Sequence, residues 1–290
     1  PPVSRPEQHT AATERRAAYP YRFPKDRRRM GGKFTVEQGA ERLLRFFYLE
    51  RRLGQGLGSW TLTIPDFEVK LETGRHLFWH FDAAKRLRDR LFEMEYRLPQ
   101  IDSYRDAEID TFLDELLSAS DTPEMLMGVH LVVGRALEVA YRHHCDDTCP
   151  VTDAPTIRTL KQILVDYEPM LEWAEQAIEA YVEGGIEATR LEQWRWHLKN
   201  LLASIGGVTG LENRTPAPTP LRIDTKPYQR GVIPCRDSRF DISAAACFSN
   251  RTIRGVSSHT GSDRLPPTAT AARTAPSGPK IGAATASVSS

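Results

Sequence analysis

The stretch from Asp153 to Tyr181 constrains the fold more than any other part of the sequence. Its apolar residues recur at steps of three and four, which is the period of one face of an α-helix. They are Leu160, Ile163, Leu164, Tyr167, Met170, Leu171, Ala174, Ile178 and Tyr181. Asp153 can cap the start of this helix, and Pro155 fits its first turn. A long helix with one apolar face is stabilised by packing that face against other helices. The stretch therefore predicts an all-α protein.

The charge distribution divides the chain into three parts. Residues 1–33 hold nine Lys/Arg against three Asp/Glu, and residues 213–290 hold eleven against four, whereas residues 34–212 hold 19 against 31. We therefore predict a disordered basic arm at 1–33, a helical bundle at 34–212, and a low-complexity, mostly disordered tail at 213–290. The acidic middle argues against nucleic acid as a partner of the folded core. The basic ends leave a nucleic-acid-associated protein as a third hypothesis.

The composition also predicts where such a chain works. No apolar run approaches the roughly 18 residues of a membrane span, so no membrane partner is expected. The first 33 residues are polar and Arg-rich, without the apolar segment of a signal peptide. The four cysteines are too few and too scattered for a disulfide framework, which favours a reduced, cytoplasmic setting.

Helical periodicity recurs along the rest of the acidic middle. It predicts further helices at about 35–54, 67–97, 107–118, 123–144 and 186–205. Thr35 with Gln38 fits a capping box at the first of these helices. The glycine-rich stretch 54–58 follows its predicted end, and we do not interpret it as a phosphate loop because no strand precedes it. Gly134 predicts a close helix crossing.

Four polar residues fall on or near the apolar faces and are candidates for metal ligands. Glu50 lies among Leu43, Phe46, Phe47 and Leu53. A carboxylate there must be paired, protonated or bound to a ligand, unless it reaches solvent at the edge of the face. Glu138 lies on the apolar side of its helix. His76 and His80 are one turn apart and could bind a metal, or they could be a core histidine with a second one at the edge.

The stretch RHHCDDTCP, residues 142–150, contains further metal-ligand residue types. His143, His144, Cys145 and Cys149 lie within it, but their spacing is not a usual zinc pattern. Histidines at a helix C-terminus also interact favourably with the helix dipole, and this structural interpretation is the simpler one.

Three segments together resemble a bacterial branch of the ferritin-like superfamily. They are TVEQGAERLLRFFYLERRL, PDFEVKLETGRHLFWH and YRHHCDDTCPVTDAPTIRTLKQIL, within residues 35–175. The resemblance implies an antiparallel four-helix bundle, here with an additional C-terminal helix. In metal-binding members of such a family, inward Glu and Glu-x-x-His groups hold two irons.

The resemblance also implies a degenerate metal centre. Glu50 and Glu138 occupy the positions of the two lone glutamates. The two Glu-x-x-His positions fall at His80 and Ala83 and at Tyr167 and Met170, and none of the eight histidines has an acidic residue three positions before it.

Two functions follow from the resemblance. The first is a non-catalytic interaction or scaffold protein without a cofactor, which acts on a protein partner of unknown identity or by self-association. The alternative is a metal-dependent oxidoreductase, with iron or manganese held by Glu50, His76, His80 and Glu138. Tyr167 and Met170 would then line its pocket. Whether the chain is an enzyme is left open.

Overall fold

The computed structural model describes residues 32–230 together with Asp237 and Arg239. Within this part of the chain every regular element is helical, which confirms the all-α prediction. The elements are α1 (Val36–Thr61), α2 (Phe67–Glu93), α3 (Leu98–Ser103), α4 (Ala107–Leu117), α5 (Thr122–Leu126), a π-helical segment (Met127–Gly134), α6 (Arg135–Asp147), α7 (Ala154–Glu183), α8 (Ala188–Ser204) and α9 (Arg222–Thr225). Nearly all of the predicted N-terminal arm and most of the predicted tail lie outside the described residues.

The long helices share one hydrophobic core. α1 packs on α2, α2 on α7, and α7 on α6 and the π-helical segment, while α8 covers the π-helical segment and contacts α4. The largest fully buried side chains come from several of these helices and include Trp60, Tyr48, Tyr141, Phe46 and Phe112. This packing agrees with a helical bundle, and its ferritin-like character stays a prediction.

Helix α7 follows the predicted pattern closely. Seven of the nine predicted apolar positions are buried, and they are Leu160, Ile163, Tyr167, Met170, Leu171, Ala174 and Ile178. The helix passes through Pro169 without ending. Asp153 stands at the N-cap position, but its carboxylate accepts from Thr148 and Arg90 instead of capping the backbone. Asp153 therefore joins the start of α7 to α2 and to the end of α6.

Helix α1 is longer than predicted, because its glycines are contact positions and not a loop. The helix continues past Gly54 to Thr61. A Cβ atom at Gly56 would lie 2.7 Å from Leu117, and one at Gly54 would lie 3.1 Å from the Phe81 ring. The missing side chains let α2 and α4 approach the α1 backbone, and this packing outweighs the low helix propensity of glycine.

The third long helix contains a π-helical segment that the sequence did not indicate. Residues 122–147 run through α5, the π-helical segment and α6. A π-helix adds a residue to each turn, so one α-helical period cannot describe both ends. The core face of α6 consequently passes through Leu137 and Tyr141. Glu138 was predicted on that face; the structure corrects this and places it beside the face, partly buried, where its side chain is 14% exposed. Gly134 does make the predicted close crossing, since its Cβ would lie 3.0 Å from Leu171.

The buried face of α2 is rotated toward its histidines relative to the prediction. The period of Leu77, Phe81 and Ala84 predicts Phe81 on the buried face. In the structure Phe81 is 39% exposed, whereas His76 and His80 are each 1% exposed. Neither histidine lies at the edge of the face. The rotation is stabilised by the hydrogen bonds that both rings make inside the core.

None of the described helices combines the length and the apolar composition that a membrane crossing requires.

Candidate functional site

The first candidate site is a buried carboxylate that accepts three hydrogen bonds. Oε1 of Glu50 accepts from the hydroxyls of Tyr141 at 2.5 Å and Tyr167 at 2.6 Å. Oε2 lies 2.6 Å from Nδ1 of His80. Glu50 is 0% exposed, so these three partners replace the water that a carboxylate otherwise needs. We call these four residues the Glu50 cluster.

The hydroxyls in the Glu50 cluster are held in their protonated form. Burial raises the pKa of Tyr141 and Tyr167 well above 10, and the nearby Glu50 carboxylate raises it further. Both tyrosines therefore act as hydrogen-bond donors to the carboxylate. Nε2 of His80 is also buried, and it has no hydrogen-bond partner among the described residues.

A second pair of buried imidazoles lies beside this cluster. Nδ1 of His130 lies 3.3 Å from the carbonyl oxygen of Leu126 and carries the proton, because a carbonyl only accepts. Nε2 of His130 then accepts from Nδ1 of His76 at 3.0 Å. Burial lowers the pKa of His76 to about 2 and that of His130 to about 3, so both rings are neutral at neutral pH. The rings of Trp79 and Trp173 pack against His76.

The four predicted metal ligands do not converge. Glu50 and His80 meet, but His76 is bonded to His130. Glu138 forms ion pairs with Arg135 at 3.0 Å and Arg142 at 2.9 Å. In the described part of the chain no group of three or more His, Cys, Asp or Glu side chains is placed to hold a metal ion. Both oxygens of Glu50 are already acceptors, so these residues do not fit a di-iron or manganese centre.

The predicted pocket residues have different surroundings from those expected. Tyr167 is 2% exposed and belongs to the Glu50 cluster, and Met170 is buried in the core. Sequence reasoning missed Tyr141 and His130 as members of the polar core. The signal for Tyr141 is its spacing: it lies four residues after Leu137, on the same face of its helix, where a buried hydroxyl needs a partner. His130 carried no such signal, because its place depends on the π-helical segment.

The histidine-rich end of α6 forms no cluster of ligands. His144 is 0% exposed, and neither ring nitrogen has a hydrogen-bond partner in the part of the chain that the structure describes. Its ring packs against Phe34 and Phe46. Cys145 and Cys149 are half-buried, and they are not joined to each other by a disulfide. His144 is thus a residue of the apolar core, and the interaction of the histidines with the helix dipole stays a prediction.

The second candidate site is an acidic surface on α4 and α5 that binds a basic segment of the same chain. We call Glu108, Asp110, Asp114, Glu115 and Glu124 the acidic face, and residues 214–230 the C-terminal strap. The predicted bundle ends at 212, but the strap continues along these helices. The strap contains three arginines at intervals of eight residues, which are Arg214, Arg222 and Arg230.

The three arginines of the strap pair with different carboxylates of the acidic face. Arg214 donates to both oxygens of Glu108 at 2.6 and 2.9 Å. Arg230 donates in the same way to Asp114 at 3.0 and 2.9 Å. Such two-pronged pairs are geometrically specific, because the planar guanidinium matches the carboxylate.

The central arginine has the most elaborate surroundings. Nη1 of Arg222 donates to Glu124 at 2.6 Å, and its guanidinium lies 3.8 Å from the centre of the Trp194 ring. Glu124 also accepts from Arg190 at 2.7 Å. Burial raises the pKa of Glu124, but hydrogen bonds from Arg222 and the Ser120 amide outweigh this, and the net pKa is lowered. The carboxylate is thus charged and ready to bind a cation.

The acidic face also binds the main chain of the strap. Glu115 is 0% exposed and accepts from the backbone N–H groups of Arg222 at 2.9 Å and Ile223 at 3.0 Å. His197 lies 2.9 Å from the same carboxylate. Arg222 and Ile223 are the first residues of α9, so Glu115 binds the free N–H groups of its first turn, and these contacts do not depend on the side chains of the strap.

Comparison with known proteins assigns neither site: no family model matches this sequence, and no curated protein or solved structure is significantly similar to it.

Proposed function

We propose that this chain is a non-catalytic interaction protein whose acidic face binds arginine-bearing segments of partner proteins. The observation that carries the proposal is the set of three separate arginine contacts, spaced by eight residues, on one acidic surface. The C-terminal strap is then the intramolecular example of the segment that this surface accepts. A strap from a second copy of the chain would fit the same contacts, which gives a route to self-association.

The arrangement of the core supports a non-catalytic protein. The Glu50 cluster uses both carboxylate oxygens in hydrogen bonds, and Nδ1 of His76 and both ring nitrogens of His130 are also hydrogen-bonded within the core. A metal-dependent oxidoreductase needs ligand atoms that are available to a metal. We therefore do not propose that alternative, and we interpret the polar core as a device that fixes one packing of the bundle.

The charge arrangement also favours protein over nucleic acid as the partner. Three basic residues of the tail are neutralised on the acidic face. The surface that remains available to a partner when the strap moves away is negative, and it would repel phosphate groups.

The proposal is tested with a labelled peptide of residues 213–230 and the full chain. In the triple variant Arg214→Ser, Arg222→Ser, Arg230→Ser, the strap loses its ion pairs and the acidic face becomes accessible. We expect this variant to bind the peptide more tightly than the wild type does, because the wild-type strap competes at a high effective concentration. Fluorescence anisotropy at low and high salt measures the binding.

A matched substitution on the acidic face decides whether the binding is specific. Adding Glu124→Gln to the triple variant removes the carboxylate that pairs with Arg222, and we expect at least a tenfold loss of peptide affinity. Glu192→Gln removes an exposed carboxylate of α8 and is expected to change nothing. Equal binding by all variants, or no binding by the triple variant, would contradict the proposal.

A further inference from the structure

A pocket of about 590 Å³ opens beside the C-terminal half of α1. Its walls come from α1, the link between α3 and α4, and the end of the C-terminal strap. Four arginines line it, and they are Arg51, Arg52, Arg105 and Arg230. None of the described residues that line it is acidic, although the bundle as a whole carries an excess of acidic residues.

Two of the four arginines are neutralised by carboxylates behind the pocket wall. Arg52 pairs with Asp110 at 3.0 Å and with Asp114 at 2.9 Å. Arg230 pairs with the same two residues, at 3.2 Å and 2.9 Å. These four groups balance one another, so they contribute little net charge to the pocket.

The other two arginines are not neutralised. Arg51 donates to the carbonyl oxygens of Asp102 at 2.9 Å and Tyr104 at 3.2 Å. Arg105 donates to the same two carbonyls, at 3.1 Å and 2.7 Å. Neither guanidinium forms an ion pair within the described residues, and the carboxylate of Asp102 is itself bonded to Arg88 at 2.7 and 2.6 Å.

Two positive groups are thus fixed next to each other by shared carbonyls. Arg51 is further positioned by the rings of Phe47 and Tyr48, whose centres lie 4.9 and 5.2 Å from its guanidinium carbon. Burial lowers the pKa of Arg51, and the neighbouring charge of Arg105 lowers it further. This repulsion is relieved when an anion binds between the two guanidiniums, which offer paired N–H donors to the oxygens of one phosphate.

We propose that this pocket binds a small molecule carrying a phosphate group, with Arg51 and Arg105 as the groups that hold the phosphate. Gln55 lines the same pocket and offers an uncharged amide to the rest of the ligand. The volume exceeds that of a phosphate ion and lies within the range of pockets for small organic ligands. Free phosphate, pyrophosphate and a phosphate monoester share the chemistry that the two arginines recognise.

Isothermal titration calorimetry of the full chain at constant ionic strength tests this site. The ligands are inorganic phosphate, pyrophosphate, ribose 5-phosphate and unphosphorylated ribose. We expect the three phosphates to bind and ribose not to bind. The phosphate compound with the highest affinity shows whether the pocket prefers free phosphate, pyrophosphate or a phosphate monoester. Each of Arg51→Gln and Arg105→Gln is expected to weaken binding about tenfold or more.

The control is Arg75→Gln, which removes a surface arginine of α2 that pairs only with Glu72 in the described part of the chain. It should bind the phosphates as the wild type does. Arg105 is exposed, so Arg105→Gln retains the fold even if Arg51→Gln does not. The absence of binding by the wild type at millimolar phosphate, or binding that Arg105→Gln leaves unchanged, would overturn the proposal. The peptide experiment on the acidic face is independent of either result.

Discussion

Glu50 shows how far residue-level reasoning reaches in this sequence. Its place among Leu43, Phe46 and Leu53 predicts a buried carboxylate that needs partners, and the structure supplies three. His80 and Tyr167 could be predicted as neighbours of the bundle core, because they occupy inward positions of their helices. The convergence of Tyr141 on the same oxygen could not be predicted, because it depends on the relative rotation of α1, α6 and α7.

His144 allows a prediction about pH at the same scale. Burial lowers its pKa from 6.5 to about 4. The unfolded chain therefore binds a proton as the pH falls below 6.5, whereas the folded chain does so only near 4. Folding stability must drop across this interval, by about 2 kcal/mol for His144 between pH 7 and 5. His76 and His130 act in the same direction.

The variant His144→Phe separates the contribution of this ring. Phenylalanine keeps the aromatic contacts with Phe34 and Phe46, and no hydrogen bond from the ring is lost. Urea unfolding measures the free energy of unfolding at pH 7 and at pH 5. The decrease between these two pH values should be about 2 kcal/mol smaller in His144→Phe than in the wild type. His143→Gln, which removes the exposed neighbouring imidazole, is the control. A pH dependence identical to that of the wild type in His144→Phe would count against this assignment.

At the scale of elements, helical periodicity located the long helices but not their details. Helix α7 was predicted within two residues at each end, because its apolar face is regular and its start carries Asp153 and Pro155. The extension of α1 through its glycines and the π-helical segment were not predicted. Both depend on how closely neighbouring helices approach, and that information is not contained in a single helix.

Gly56 and Gly74 provide a paired test of this packing. A methyl group at Gly56 would meet both Cδ atoms of Leu117 at 2.7 Å, whereas one at Gly74 would meet nothing within 4 Å. We expect Gly56→Ala to lower the free energy of unfolding by about 1–2 kcal/mol, since overpacking outweighs the gain in helix propensity. Gly74→Ala should raise it by up to about 1 kcal/mol. Chemical denaturation measures both values, and stabilisation by Gly56→Ala would show that α4 does not approach α1 in this way.

At the scale of the whole molecule, the charge pattern predicts an acidic bundle and a separate, disordered basic tail. In the structure, the arginines of the C-terminal strap lie on the acidic face. Composition marked residues 213–230 as low in complexity because they contain four prolines and few apolar residues. Their ion pairs with α4 and α5 lie more than 90 residues apart in sequence, and composition does not detect them.

The core and the surface of the bundle use their polar groups differently. In the core, Glu50, Tyr141, Tyr167 and the His76–His130 pair are held by hydrogen bonds within the protein. The candidate binding groups lie on the acidic face and in the pocket lined by Arg51 and Arg105. We therefore propose that function lies on the surface of the bundle and that the Glu50 cluster specifies the fold.

Metal analysis tests this central claim most directly. The full chain is purified without chelator, incubated with iron(II) or manganese(II), desalted and measured by elemental analysis beside Glu50→Ala. Because both oxygens of Glu50 accept hydrogen bonds, the account predicts no stoichiometric metal in either protein. One or more iron or manganese ions per wild-type chain, lost in Glu50→Ala, would contradict it.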